Sequence, residues 1–139
     1  MFVLGVPLLI FPFAIYNILA FLTPGFSWNS ELWHFEMVSG GEWGITAGDA
    51  MIAGAVVILL IEMLKAARVG RRTIIDHVLS MVLFVAMLIQ FITVKAVTSS
   101  TFFLLLVISF VDVAGGFAVS IQAARRDIFV GEGERARGA

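Results

Sequence analysis

The sequence predicts an all-α integral membrane protein: a four-helix bundle with a short interfacial helix in its first loop and both termini in the cytoplasm. Three observations carry that expectation. Of 139 residues, 60% are hydrophobic and only 14% charged, with a mean hydropathy of +1.04. Soluble domains carry about 45–50% apolar and about 25% charged residues. Four apolar runs approach the ~20 residues that cross a hydrocarbon core. Finally, Lys and Arg cluster after alternate runs. The formal net charge of −1 argues against a nucleic-acid partner, and the absence of Cys excludes disulfides and Cys-ligated metals.

Residues 2–22 form the first span, free of charge. The run lacks the basic start and small-residue cleavage site of a secretory signal, so it reads as a retained helix. Pro7 and Pro12 each remove a backbone donor and predict a kink in its first half. Residues 23–46 make the one sizeable connection, opened by Pro24-Gly25 and closed by Gly40-Gly41 and Gly44. Within it, Ser30 is a candidate N-cap, Glu31 falls in a first turn and Gly40 stands where a helix would stop. Trp28, Trp33 and Trp43 are the only tryptophans, and indole rings favour the headgroup region. The expectation is an interfacial helix lying on the bilayer.

Residues 47–64 form the second span, whose first half is rich in Ala and Gly and so permits close helix approach. A basic connector, KAARVGRR, follows at 65–72. Residues 77–97 form the third span, and a tight polar turn leads to the fourth, at 101–124. Residues 1–126 thus read as a single transmembrane domain, and 127–139 as a mobile, charge-rich cytoplasmic tail. Lys65, Arg68, Arg71, Arg72, Arg125, Arg126, Arg135 and Arg137 lie on one side of these spans and only Lys95 on the other. The positive-inside rule therefore places both termini in the cytoplasm and the Trp-rich connection on the opposite side.

The runs GEWGITAGD, IEMLKAARVG, IIDHVLS, STFFLLLVISFVDVAGGF and AARRD resemble small four-transmembrane-helix inner-membrane proteins of proteobacteria, over residues 42–127. The resemblance implies a multi-pass protein of the bacterial inner (plasma) membrane. It implies no activity, ligand or catalytic residue.

Asp112 is the foremost candidate site, because a carboxylate at bilayer depth normally faces a bundle interior, a partner or water. Ser109, Asp112, Gly116 and Ser120 share one helix face by i+3 and i+4 spacing, which suits helix packing. Asp112 falls about 15 Å from either surface, a depth that Gln90 and Asn17 approach along their own helices. Those depths permit a polar layer of Asn17, Gln90 and Asp112. Such an acid is either a proton or cation site, or a hydrogen-bonded packing contact worth about 1 kcal/mol or less.

Glu62, Lys65, Asp76 and His77 form a second cluster at the cytoplasmic surface, readable as a proton relay or as a helix-end charge network. Asp49 and Lys95 form an outer-side pair suited to a salt bridge between the second and third helices. No His, Glu or Asp pattern has metal-ligand spacing, and His34 and His77 fall on opposite sides of the membrane. No cofactor is expected. The partners implied are the lipid bilayer and other membrane subunits or a second copy. The leading function is a non-catalytic accessory subunit of a membrane complex. An oligomeric ion- or proton-coupled transporter or channel using Asp112 is the alternative, and a lipid-modifying enzyme using Glu62, Asp76 and His77 a third.

Overall fold

The computed structural model describes residues 5–69 and 74–138. The chain order is helix α1 (Ile10–Leu22), strands β1 (Glu31–Glu36) and β2 (Glu42–Thr46), and helices α2 (Ala47–Val69), α3 (Ile74–Thr93) and α4 (Ser100–Arg137). A 3-10 turn, Lys95–Val97, joins α3 to α4 and ends the third helix earlier than its apolar run suggested. Three helices, α2, α3 and α4, are long and apolar enough to cross a membrane, with mean hydropathies of 2.0, 2.1 and 2.4. Only 22% and 17% of the apolar windows of α2 and α3 are buried within the protein, so most of their apolar surface faces outward.

The expected first span is shorter than its apolar run. Helix α1 has 13 residues, about 20 Å, against a hydrocarbon core of about 30 Å. The prolines account for its start rather than for a kink. Pro12 occupies the third helical position, where no intrahelical N–H is needed, and Pro7 precedes the helix. Residues 1–4 of the expected span lie outside the described residues.

The expected interfacial helix is an antiparallel β-hairpin. Trp33 pairs with Ile45, His34 with Gly44, Phe35 with Trp43 and Glu36 with Glu42. Two features of the sequence favour strands here. Trp33 and Phe35 alternate with His34 and Glu36, and aromatic residues suit a pleated surface. The connection is a three-residue loop, Val38-Ser39-Gly40: Gly40 N–H donates to Met37 O at 2.8 Å and Met37 N–H to Gly41 O at 2.8 Å. Gly40 has φ +78°, the left-handed third position this hairpin type requires. Ser30 caps no helix; its carbonyl instead accepts the Ala47 N–H at 2.9 Å and ties the hairpin base to α2.

Helix α4 packs on each of the other three helices. Gly48 faces Thr101 and Met63 faces Gly115, so α2 and α4 run parallel, away from the hairpin. Phe91 stacks on Phe102 and His77 meets Phe117 edge-on, so α3 runs antiparallel to α4. Tyr16, Phe102, Met87, Leu105 and Val97 form the centre of the apolar core. The buried stripe of α4 runs from Thr101 to Gly116 and then stops. The helix nevertheless continues to Arg137, through the segment read from the sequence as a charge-rich tail, for 38 residues in all.

Candidate functional site

Asn17 and Gln90 meet, as their depths permitted, but Asp112 stands apart from them. The Gln90 side-chain amide donates to Asn17 Oδ1, and Asn17 Nδ2 donates to the Phe13 carbonyl at 2.9 Å. Gln90 Oε1 is buried and has no hydrogen-bond partner. Asp112 is elsewhere. The aromatic contacts between α3 and α4 set Asp112 level with Val82, about two turns from Gln90. The spacing of Asn17, Gln90 and Asp112 along their own helices was compatible with one layer; the helix register separates them.

Asp112 has other company. Glu62 on α2 and Ser80 on α3 are buried within about one helical turn of its level. Asp112 is 3% exposed, Ser80 1% and Glu62 7%. Ser109, one turn back on α4, is also buried, as is Gly116, whereas Ser120 is exposed and donates its hydroxyl to the Gly116 carbonyl at 2.8 Å. Glu62, Lys65, Asp76, Ser80 and Asp112 are all engaged by neighbouring groups. Beside Asp112 the space is a slot of about 30 Å³ between Met63 and Gly115-Gly116, about enough for one water.

The sequence reading of Glu62 as part of a surface charge network changes accordingly: the carboxylate is buried. Its Oε1 accepts the Leu8 N–H at 3.4 Å, so the carboxylate stands at the N-terminal end of α1. Leu9 at the N-cap has no side-chain cap of its own, so the Glu62 oxygen serves as an acceptor near the first N–H groups of the helix. Gly5 lies over Asp76, at a distance where a Cβ would be 3.6 Å from Oδ1. His77 packs edge-on against Phe117 at 4.3 Å, and both its ring nitrogens are buried without a hydrogen-bond partner.

At the hairpin end the expected Asp49–Lys95 bridge is not formed. Asp49 Oδ2 accepts the Thr46 N–H at 3.0 Å and the Thr46 hydroxyl at 2.8 Å, while Thr46 Oγ1 accepts the Asp49 N–H at 3.1 Å. This is a capping box, and it commits one carboxylate oxygen to the start of α2. Tyr16 OH and Ser99 Oγ share a hydrogen bond of 2.6 Å, and Ser99 Oγ also accepts the Phe102 N–H as the N-cap of α4. Trp28 stacks on Tyr16 at 4.3 Å. Trp28 is therefore part of the packed end of the bundle, whereas Trp33 and Trp43 are exposed on the hairpin.

The hairpin carries two unlike faces. Trp33, Phe35, Trp43 and Ile45 share one. His34, Glu36 and Glu42 share the other, where His34 Nδ1 lies 2.8 Å from Glu31 Oε1 and Nε2 lies 3.9 Å from Glu42 Oε2. Every residue of β1 is exposed. Among the described residues no group of three His, Asp or Glu side chains is placed to hold a metal ion.

An open recess of about 400 Å³ lies beside the hairpin base, where α2 and α4 begin. Asn29, Asp49, Ser100 and Thr101 supply its polar lining, and Ile52 and Leu104 part of its apolar lining. Sequence reasoning missed this site, because nothing in the spacing of Asn29, Asp49 and Thr101 brings three separate segments together. It also missed the hairpin, for which the alternation about His34 followed by Ser39-Gly40-Gly41 was an available signal. No family model matches the chain, and neither a curated protein nor a solved structure matches it.

Proposed function

We propose that the protein is a non-catalytic, multi-pass subunit of a bacterial inner membrane, which assembles with itself or with a larger membrane complex through its hairpin end. The observation that carries this reading is the exposed hairpin. A lone two-stranded sheet is marginally stable in water. This one presents Trp33 at 64%, Phe35 at 47% and Trp43 at 49% exposure. Aromatic residues are enriched at protein interfaces. The outward apolar surfaces of α2, α3 and α4 support insertion as a helical bundle. The excess of Lys and Arg after α2 and along α4 supports a cytoplasmic placement of that end, with the hairpin outside.

Gentle detergent extraction followed by native mass analysis tests this reading. The wild type is expected to travel as a defined oligomer or with other subunits, and a Trp33→Ala/Trp43→Ala variant as a smaller particle. Identical, single-chain particles for both overturn it.

A second reading, ion- or proton-coupled transport, is favoured by one observation: Glu62 and Asp112 are buried near one level of the helices. Among the described residues the space beside Asp112 is a slot of about 30 Å³, too small for a pathway at that point. The second reading therefore requires an oligomer. Flux in vesicles that disappears in Asp112→Asn supports it, and flux unchanged by that substitution removes it.

A further inference from the structure

We propose that the recess at the hairpin end binds the headgroup of a zwitterionic phospholipid, one carrying a phosphate and a primary ammonium group. The inference rests on the membrane reading above. Four observations converge on it.

The first is position. The recess opens where two of the three long apolar helices begin, at Ala47 and Ser100. In a bilayer this is headgroup depth. Its apolar wall, Ile52 and Leu104, lies one turn further along the same two helices and would meet the upper part of an acyl chain. Its volume of about 400 Å³ falls within the usual range of small-molecule sites.

The second is the unequal state of the two helix starts. In α2 the first donors are already taken: Ala47 N–H by the Ser30 carbonyl, Gly48 N–H by the Trp28 carbonyl at 2.9 Å, and Asp49 N–H by Thr46 Oγ1. In α4 the Phe102 N–H goes to Ser99, while the Ser100 and Thr101 N–H groups precede the first intrahelical bond. Helix N-terminal N–H groups suit phosphate oxygens, and only α4 offers them here.

The third is Thr101. Its side chain lines the recess and is 9% exposed, yet among the described residues its hydroxyl forms no hydrogen bond. Because the recess is open, this hydroxyl can be reached from it and is available to a bound group as donor or acceptor. With Ser100 beside it, it supplies a second kind of donor to the same phosphate.

The fourth is charge. Asp49 commits Oδ2 to the α2 cap. Asp49 is a wall residue of the recess, so its negative charge stands there, opposite in sign to the α4 helix start. A simple anion would meet Asp49 unfavourably and a simple cation would meet the positive end of α4. A phosphate–ammonium pair answers both.

The test uses the full chain, purified and delipidated, with defined lipids. Native mass spectrometry would follow titration with a phosphatidylethanolamine, a phosphatidylglycerol of the same acyl chains, and free phosphoethanolamine. The expected result is one tightly held ethanolamine lipid per chain, preferred over the glycerol lipid. Thr101→Val keeps the shape and removes one hydrogen bond, so ethanolamine-lipid binding should fall about fivefold. Asp49→Asn keeps a capping side chain and removes the charge, so the preference between the two lipids should fall by about tenfold. Unchanged helicity by circular dichroism qualifies each variant as folded. Equal retention of both lipids, or wild-type binding in both variants, overturns the site and leaves only unspecific lipid. Binding of free phosphoethanolamine as tightly as the lipid overturns the lipid source. Failure of the wild type to co-float with vesicles overturns the membrane reading itself, a result distinct from co-flotation without headgroup preference.

Discussion

The two ends of the helical bundle treat polar groups in opposite ways. At the hairpin end, several polar side chains close specific bonds: Thr46 with Asp49, Ser99 with Phe102 N–H, and Tyr16 with Ser99. Toward the other end, Glu62, Ser80 and Asp112 are buried near one level by three different helices, and the His77 ring nitrogens are enclosed without hydrogen bonds. The first arrangement fixes helix starts and the crossing of α2 over α4. The second keeps ionisable groups away from water, which costs free energy unless neighbours compensate. The hairpin end is thus the end that specifies the packing, and the far end is where ionisable side chains are buried.

That contrast predicts which substitutions matter most. Gly48→Leu should have the largest effect. A Cβ there would lie 2.6 Å from Thr101 Oγ1 and 3.2 Å from the Trp28 carbonyl, so the two helices must separate. A loss of about 3 kcal/mol or more is expected in detergent unfolding, as for overpacked interiors. Gly54→Ala, on the same helix with open space around it, is the control and should stabilise by up to about 1 kcal/mol. If both variants melt alike, the close crossing does not hold the hairpin end together.

Ser99→Ala comes next, because it removes the α4 cap and the partner of Tyr16 together. About 2 kcal/mol is expected from the two contributions. Tyr16→Phe alone should cost about 1 kcal/mol and add little in the Ser99→Ala background. Full additivity of the pair would show that the two hydroxyls act independently.

Asp49→Ala removes half of the capping box and should shift the melting curve to lower temperature, whereas Lys95→Ala should leave it in place. An equal loss in both would restore the salt bridge that the structure replaces. The smallest effect is expected at the far end. Asp112→Asn keeps the shape of the side chain, and interhelical polar bonds in membrane bundles contribute about 1 kcal/mol or less. A loss larger than that of Gly48→Leu would reverse the comparison and make the buried acid the structural centre.

The physical content of the sequence explains which of these features it disclosed. Long apolar runs specify helices through composition alone, so α2, α3 and α4 were legible. The capping box was also written locally, in Thr46-Ala47-Gly48-Asp49, although charge sign alone suggested Lys95 as the partner of Asp49. The hairpin had a signal in the alternation about His34, but a plausible cap at Ser30 and a plausible stop at Gly40 pointed to a helix instead. Gly40 does stop the element, but as the left-handed residue of a hairpin loop. What only the tertiary structure decided is the register between helices. Depth along a single helix cannot say which turn of its neighbour it meets, so Asp112 was matched with Gln90 instead of with Glu62 and Ser80. The recess at the hairpin end has the same origin. Asn29, Asp49 and Thr101 belong to a connection and to two helix starts, and only the close approach of α2 and α4 at Gly48 brings them to one wall.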